Sequence, residues 1–122
     1  MTDDKVKYIL NSFFELEKDL YYKDSSCNLY STAKKLDTNQ TYLSRIVNHY
    51  LHRSFREYIN ELRIQYLLKT YHSDRKLRCY TVKAIGLELG FKSCNTFKKA
   101  FKKYANTEFS EYKKILVELD QK

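Results

Sequence analysis

The sequence predicts an all-α fold of about seven helices, set out as two lobes joined by a long rigid linker helix at about 54–71. Three observations predict it. Proline is absent and glycine occurs only at Gly86 and Gly90 in 122 residues, so the chain has few helix breakers. The chain also repeats itself: "FREY" at 55–58 returns as "FSEY" at 109–112, an offset of 54. The stretch between the repeats carries two opposed apolar stripes at helical spacing, the pattern of a helix that docks into a different lobe with each half.

The elements follow in order. A first helix over about Lys5–Leu20 turns Ile9, Phe13, Leu16 and Leu20 inward. Leu29–Leu36 forms a short helix, "DTN" at 37–39 a turn, and Asn39 an N-cap for a helix running to about Tyr50. Ser54-Phe55-Arg56-Glu57 is an S-x-x-E capping box that opens the linker helix. Phe55, Tyr58, Ile59, Leu62 and Tyr66 line one side of that helix; Ile64, Leu67, Leu68 and Tyr71 line the other. A second short helix spans about Thr81–Leu89 and breaks at Gly90, and Ser93 caps the helix from Cys94 to Tyr104. The last helix, after Asn106, uses Tyr112, Ile115, Leu116 and Leu119. The first lobe is thus expected over about 5–53 and the second over about 73–120.

The repeat is deeper than the two tetrapeptides. Leu43, Ile46, Val47 and Tyr50 recur 54 residues on as Phe97, Ala100, Phe101 and Tyr104, and His52 recurs as Asn106. Leu29, Thr32, Ala33 and Leu36 recur 53 residues on as Val82, Ile85, Gly86 and Leu89. Each copy reads as helix, tight turn, helix. Ala33 and Gly86 occupy equivalent places, where a small residue lets the second helix cross close to the first.

In "NTFKKAFKKY" (95–104) the apolar residues Phe97, Ala100, Phe101 and Tyr104 fall on one stripe, and Asn95, Lys98, Lys99 and Lys102 on the other side. Formal net charge is +8, with a pI near 9.3. Residues 1–30 hold six acidic and four basic side chains, so the excess lies beyond them. From Arg75 to Lys103 there are nine basic residues and one acidic one, Glu88. Clustered charge of this kind suggests a polyanion partner.

Other chemistries find little support. Cys27, Cys79 and Cys94 show no C-x-x-C spacing, which fits reduced thiols in a cytosol better than disulfides or zinc. His49 and His52 have no accompanying ligand cluster. No metal and no cofactor is expected. There is no phosphate-binding glycine loop and no helper group beside any cysteine, so no catalytic residue is assigned and no enzyme is expected. No apolar run is long enough for a membrane span, and no membrane contact is expected of this segment.

The second helix of a helix-turn-helix unit fits the major groove of DNA, with its early outward residues at base edges. Two such helices can enter grooves roughly 34 Å apart, one turn along the duplex. Lysines mainly neutralise phosphates, whereas the Asn95 amide suits adenine and Arg45 suits guanine. Most tyrosines are expected to pack amphipathically, with Tyr21, Tyr22 and Tyr30 touching either phosphate or nothing at all.

At these residues the sequence resembles a known family. "TYLSRIVNHYLHRSFREYINELRI" (41–64) followed by "AIGLELGFKSCNTFKKAFKKY" (84–104) is similar to the DNA-binding domain of AraC/XylS-type bacterial transcription regulators, from about Leu29 to Tyr112. The resemblance implies that both units enter adjacent major-groove segments of double-stranded DNA, at a separation fixed by the joining helix. It places base-edge contacts at Thr41, Ser44, Arg45, Cys94, Asn95, Lys98 and Lys99. Phosphate contacts are expected at Gln40, Asn48, Arg53, Lys92, Ser93, Lys102 and Lys103. It also implies RNA polymerase as a second partner, and a cytoplasmic protein at the nucleoid.

The sequence departs from the family where His52 and Asn106 replace a common glycine, and where Gln40 and Phe109 replace a common proline. Cys94 is a weak hydrogen-bonder in the second reading helix. Family members usually carry an additional regulatory domain, and nothing here resembles one. The expected whole is either a longer regulator of which this is the C-terminal piece or a stand-alone DNA-binding domain. The other readings of the basic face are a module binding RNA or an acidic protein. RNA recognition usually needs exposed aromatics, and the Phe97, Phe101 and Tyr104 stripe is expected to face inward.

Overall fold

The computed structural model describes residues 3–120. They form α1 (Asp3–Lys18), a short 3₁₀ turn (Tyr21–Lys23), α2 (Leu29–Lys35), α3 (Gln40–Leu51), α4 (Phe55–Thr70), α5 (Arg75–Cys79), α6 (Val82–Glu88), α7 (Cys94–Ala105) and α8 (Phe109–Asp120). No strand occurs among the described residues. The all-α class is as the sequence predicts. The chain divides into two compact units between Asn60 and Glu61, within α4.

In the first unit, α2 and α3 form a helix-turn-helix, and α1 packs on α3. Local chemistry sets the helix ends. Asn28 caps α2 by accepting from the Ser31 N–H at 2.8 Å, and the Ser31 hydroxyl lies 3.3 Å from the Asn28 N–H, a reciprocal capping box. Asn39 caps α3 by accepting from the Tyr42 N–H at 3.0 Å. The turn between them is a Schellman closure: Asp37 is left-handed at φ 54°, and the Thr38 N–H donates to the Ala33 carbonyl at 2.9 Å. The core gathers Ile9 and Phe13 of α1, Tyr22, Ala33, Leu36, and Leu43, Ile46 and Val47 of α3, with Phe55 and Ile59 from the start of α4.

The second unit repeats the design. Thr81 caps α6 through the Ala84 N–H at 3.1 Å, and Ser93 caps α7 through the Thr96 N–H at 3.1 Å. Gly90 takes the left-handed place of Asp37 at φ 99°, and the Phe91 N–H donates to the Gly86 carbonyl at 2.9 Å. A Cβ added at Gly86 would lie 3.1 Å from the Cβ of Phe97, so the helices cross closely here and a side chain would press on Phe97. The core is aromatic: Tyr71, Phe91, Phe97, Phe101 and Phe109 pack with Ile64, Leu67, Ile85 and Leu89.

The linker opens as its S-x-x-E motif predicts: the Glu57 N–H donates to Ser54 Oγ at 3.1 Å, and the Ser54 N–H donates to Glu57 Oε1 at 3.2 Å. Phe55 and Ile59 are buried early in α4, and Ile64 and Leu67 late. His52 and Asn106 end α3 and α7 in the left-handed region, at φ 57° and 61°, as expected for residues standing at glycine positions.

Several expectations fail. Leu20 lies beyond the end of α1 in a left-handed turn (φ 62°) and is exposed, not inward. Ile115 and Leu119 are also exposed, because α8 docks through Phe109, Tyr112 and Leu116, leaving the next stripe uncovered. Tyr22 is buried and closed to phosphate. The short α5 was not foreseen. Its five residues bury only Leu77, too little for a periodic signal, and it is held by the Asp74 side chain accepting from the Leu77 N–H at 3.1 Å.

Candidate nucleic-acid interface

Each helix-turn-helix unit exposes the polar side of its second helix. On α3, Leu43, Ile46 and Val47 are buried, which turns Gln40, Thr41, Arg45 and Asn48 to solvent and leaves Ser44 half-buried. The Asn48 amide donates to the Ser44 carbonyl at 2.9 Å and lies 3.4 Å from the Ser44 hydroxyl. The two side chains are therefore held side by side on the exposed surface of α3. Arg53 is half-buried in the turn after α3, where its Nε–H donates to the Leu51 carbonyl at 3.3 Å.

On α7, Phe97, Ala100 and Phe101 are buried, and Asn95, Lys98, Lys99, Lys102 and Lys103 face outward. Cys94, the first residue of the helix, is half-buried. Lys92 and Ser93 are exposed just before it, but the Ser93 hydroxyl is already engaged, 2.8 Å from Thr96 Oγ1. Lys102 Nζ lies 3.9 Å from Glu108 Oε1, a solvent-exposed pair of the kind worth less than about 1 kcal/mol. Lys103 sits over the Tyr104 ring at 5.3 Å. Beside Lys98, Lys99 and Lys102 the surface dips into a groove of about 470 Å³, floored by Val82 and Phe109 and edged by Glu108 and Ser110.

Within each unit, then, most of the residues expected from sequence are exposed, and Ser44, Arg53 and Cys94 are half-buried. Sequence reasoning passed over Tyr42, which is 40% exposed in the first turn of α3. Its helical position lies one step from Thr41 and three from Arg45.

A family model for a helix-turn-helix domain matches residues 32–115. The chain belongs to the AraC-type helix-turn-helix family. Solved structures agree in fold. The C-terminal domain of AraT, a response regulator from Geobacillus stearothermophilus, superposes with a TM-score of 0.73 at 21% identity, covering 88% of this chain and 84% of that one. The C-terminal domain of the two-component response regulator yesN from Fusobacterium nucleatum gives 0.69 at 23% identity, covering 84% and 98%. An AraC-type transcriptional regulator from Chromobacterium violaceum gives 0.66 at 18% identity, covering 93% and 92%. No curated protein matches the chain. As an AraC-type domain, it is a DNA-binding unit of transcription regulation.

Proposed function

We propose that this domain binds double-stranded DNA sequence-specifically, inserting α3 and α7 into adjacent major-groove segments. One observation carries the reading. Two capped helices, α3 and α7, each bury an apolar stripe and turn polar side chains from their first two turns to solvent. Thr41, Ser44, Arg45, Cys94, Asn95, Lys98 and Lys99 meet base edges. Gln40, Asn48, Arg53, Lys92, Ser93, Lys102 and Lys103 meet phosphate or position the helices on it. RNA polymerase and a further regulatory domain complete the proposed regulator, which works in the bacterial cytoplasm at the nucleoid. The burial of Phe97 and Phe101 speaks against base stacking on single-stranded RNA.

The test is a titration with duplexes selected from a random pool, an unselected duplex and a single-stranded RNA, each at several salt concentrations. Duplex binding is expected to weaken with salt at a log–log slope near −0.9 per neutralised phosphate. A flat salt response would sink the reading. Arg45→Ala is expected to cost about 1–3 kcal/mol on the selected site and to relax one base position. Equal loss on every sequence would reassign Arg45 to phosphate.

A further inference from the structure

The two reading helices differ in charge. Outward on α7 stand Lys98, Lys99, Lys102 and Lys103, whereas α3 carries Arg45 and His49 as its only basic residues. If both units hold duplex, the first needs cationic phosphate contacts in addition to those of Gln40, Asn48 and Arg53. We propose that it makes them through a lysine–tyrosine platform on α2 and the preceding 3₁₀ turn, formed by Tyr21, Tyr30, Lys34 and Lys35. Its ligand is the DNA phosphate backbone flanking the groove that α3 enters. The inference rests on the DNA-binding reading above and extends it to an element outside the recognition helix.

The platform is preformed. Lys34 Nζ lies over the Tyr30 ring, 4.6 Å from its centroid, and Lys35 Nζ lies 5.2 Å from the centroid of Tyr21. Tyr21 is itself held, its hydroxyl 3.1 Å from Ser31 Oγ. Ser31 belongs to the capping box of α2, and its hydroxyl donates to the Ser26 carbonyl at 2.8 Å. The nearby Asp24 carboxylate is turned onto Ser26, accepting from its N–H at 2.8 Å and its hydroxyl at 2.7 Å. Tyr30, Lys34 and Lys35 are exposed. Ammonium groups resting on aromatic faces have less rotamer freedom to lose when an anion arrives.

Position and contrast both point to phosphate. α2 packs on α3 as the first helix of the unit, the element that crosses the backbone when the second helix lies in the groove. The second unit places its lysine–tyrosine pair ahead of α6 and not on it: Lys76 Nζ lies over the Tyr80 ring, 5.9 Å from its centroid. Tyr30, Lys34 and Lys35 correspond there to Lys83, Leu87 and Glu88: one cation, an exposed leucine and a carboxylate. Tyr21 and Tyr30 also precede the segment that the family model matches. The tyrosines of the platform thus lie outside the matched segment, and its lysines inside it. Exposed lysines are paired on the first helix in one copy (Lys34, Lys35) and gathered on the second helix in the other (Lys98, Lys99, Lys102, Lys103).

The double variant K34Q/K35Q tests it, titrated with an unselected duplex across a salt series beside wild type and K102Q. Two lost phosphate contacts are expected to make the log–log slope shallower by about 1.8. Affinity should fall alike on all sequences, with wild-type melting temperature, and K34R/K35R should restore most of it. If K34Q/K35Q binds with wild-type affinity and slope while K102Q is impaired, the platform faces something other than DNA, such as an acidic protein, and the proposal is overturned. Should the double variant melt early, K34Q alone is read the same way, with a change of about 0.9. Failure of the wild-type protein to bind any duplex would remove the DNA reading itself, a separate outcome.

Discussion

In the first lobe, Phe13 of α1 lies against Phe55 (ring centroids 5.8 Å apart) and Tyr58 (5.6 Å). In the second, Tyr71, just after α4, lies against Phe109 (5.5 Å) and Tyr112 (6.0 Å). Phe55 and Tyr58 are the sequence counterparts of Phe109 and Tyr112, so Tyr71 plays the part of Phe13, and buried Leu67 that of Ile9. α1 and the later half of α4 are equivalent elements, at an offset of 58 instead of 53 or 54. The offset shifts because the segments leading to α2 and α6 differ, one holding the 3₁₀ turn and the other α5. What fills the shared plan also differs. In the first lobe α3 packs through Leu43, Ile46 and Val47, and in the second α7 packs through Phe97, Ala100 and Phe101. The lesson is that a duplicated fold keeps its caps, turns and aromatic triad while its core volume and surface charge diverge.

The largest test of this difference is Phe101→Ala. Phe101 touches Phe97, Phe109 and Tyr112 at ring distances of 6.2, 5.2 and 5.4 Å. Its loss is expected to cost about 3–5 kcal/mol, against about 2 kcal/mol for Val47→Ala at the matching place in the first lobe. Denaturant titration with hydrogen exchange localises each loss, and equal costs would contradict the claim that the second core depends more on its rings.

Tyr58→Phe probes a contact that is peculiar to the first lobe. The Tyr58 hydroxyl donates to the Glu17 carboxylate, whereas Tyr112 is only buried among rings. Burial first, then Glu17, raises the Tyr58 pKa above its ordinary value of 10. The stabilisation is therefore complete below about pH 10 and is lost as pH climbs through the folded-state value. The phenylalanine variant should lose about 1–2 kcal/mol near neutrality and show a flatter decline above pH 10. An unchanged alkaline limb in a thermal-melt series would place the titration on Tyr71 and Tyr112, whose pKa values burial also raises.

Gly86→Ala sharpens the comparison at the helix crossing. Phe97 is fully buried between Phe91 and Phe109 and has little room to retreat from a new Cβ. Overpacking should outweigh the gain in helix propensity, leaving a net loss of about 1 kcal/mol. Ala33→Gly should also lose about 1 kcal/mol, but through propensity alone. A stabilised Gly86→Ala in urea titration would show that Phe97 can shift. The smallest effect is on binding: Lys102→Ala should leave folding intact and make the salt slope shallower by about 0.9 on every duplex.

Much of this was legible in the sequence because it is written in short-range chemistry. Asn39, Ser93 and the Ser54–Glu57 box announce their helices by residue type and spacing, and Gly90 and Asn106 announce their turns. Ala33 and Gly86 were recognisable because the repeat set them side by side. The remainder depends on contacts far apart in the chain. Nothing near Tyr58 reveals Glu17, and nothing near Arg63 reveals that it is buried over the Phe91 ring at 5.2 Å. Leu20, Ile115 and Leu119 satisfy helical periodicity but miss the core, since periodicity names a stripe without saying how far along it a neighbour reaches. On the candidate site, the outward polar face followed from the buried one. The lysine–tyrosine platform did not, because it joins Tyr21 to Lys35 across a turn.

The unbroken run of α4 has a consequence for how the domain can be taken apart. Its opening residues close one copy and its later residues begin the next, so the seam between the copies falls inside a helix instead of in a loop. Neither half can be excised cleanly. A cut on either side of α4 strips one core of a wall, and keeping the whole helix with one half leaves an orphaned apolar stripe in water.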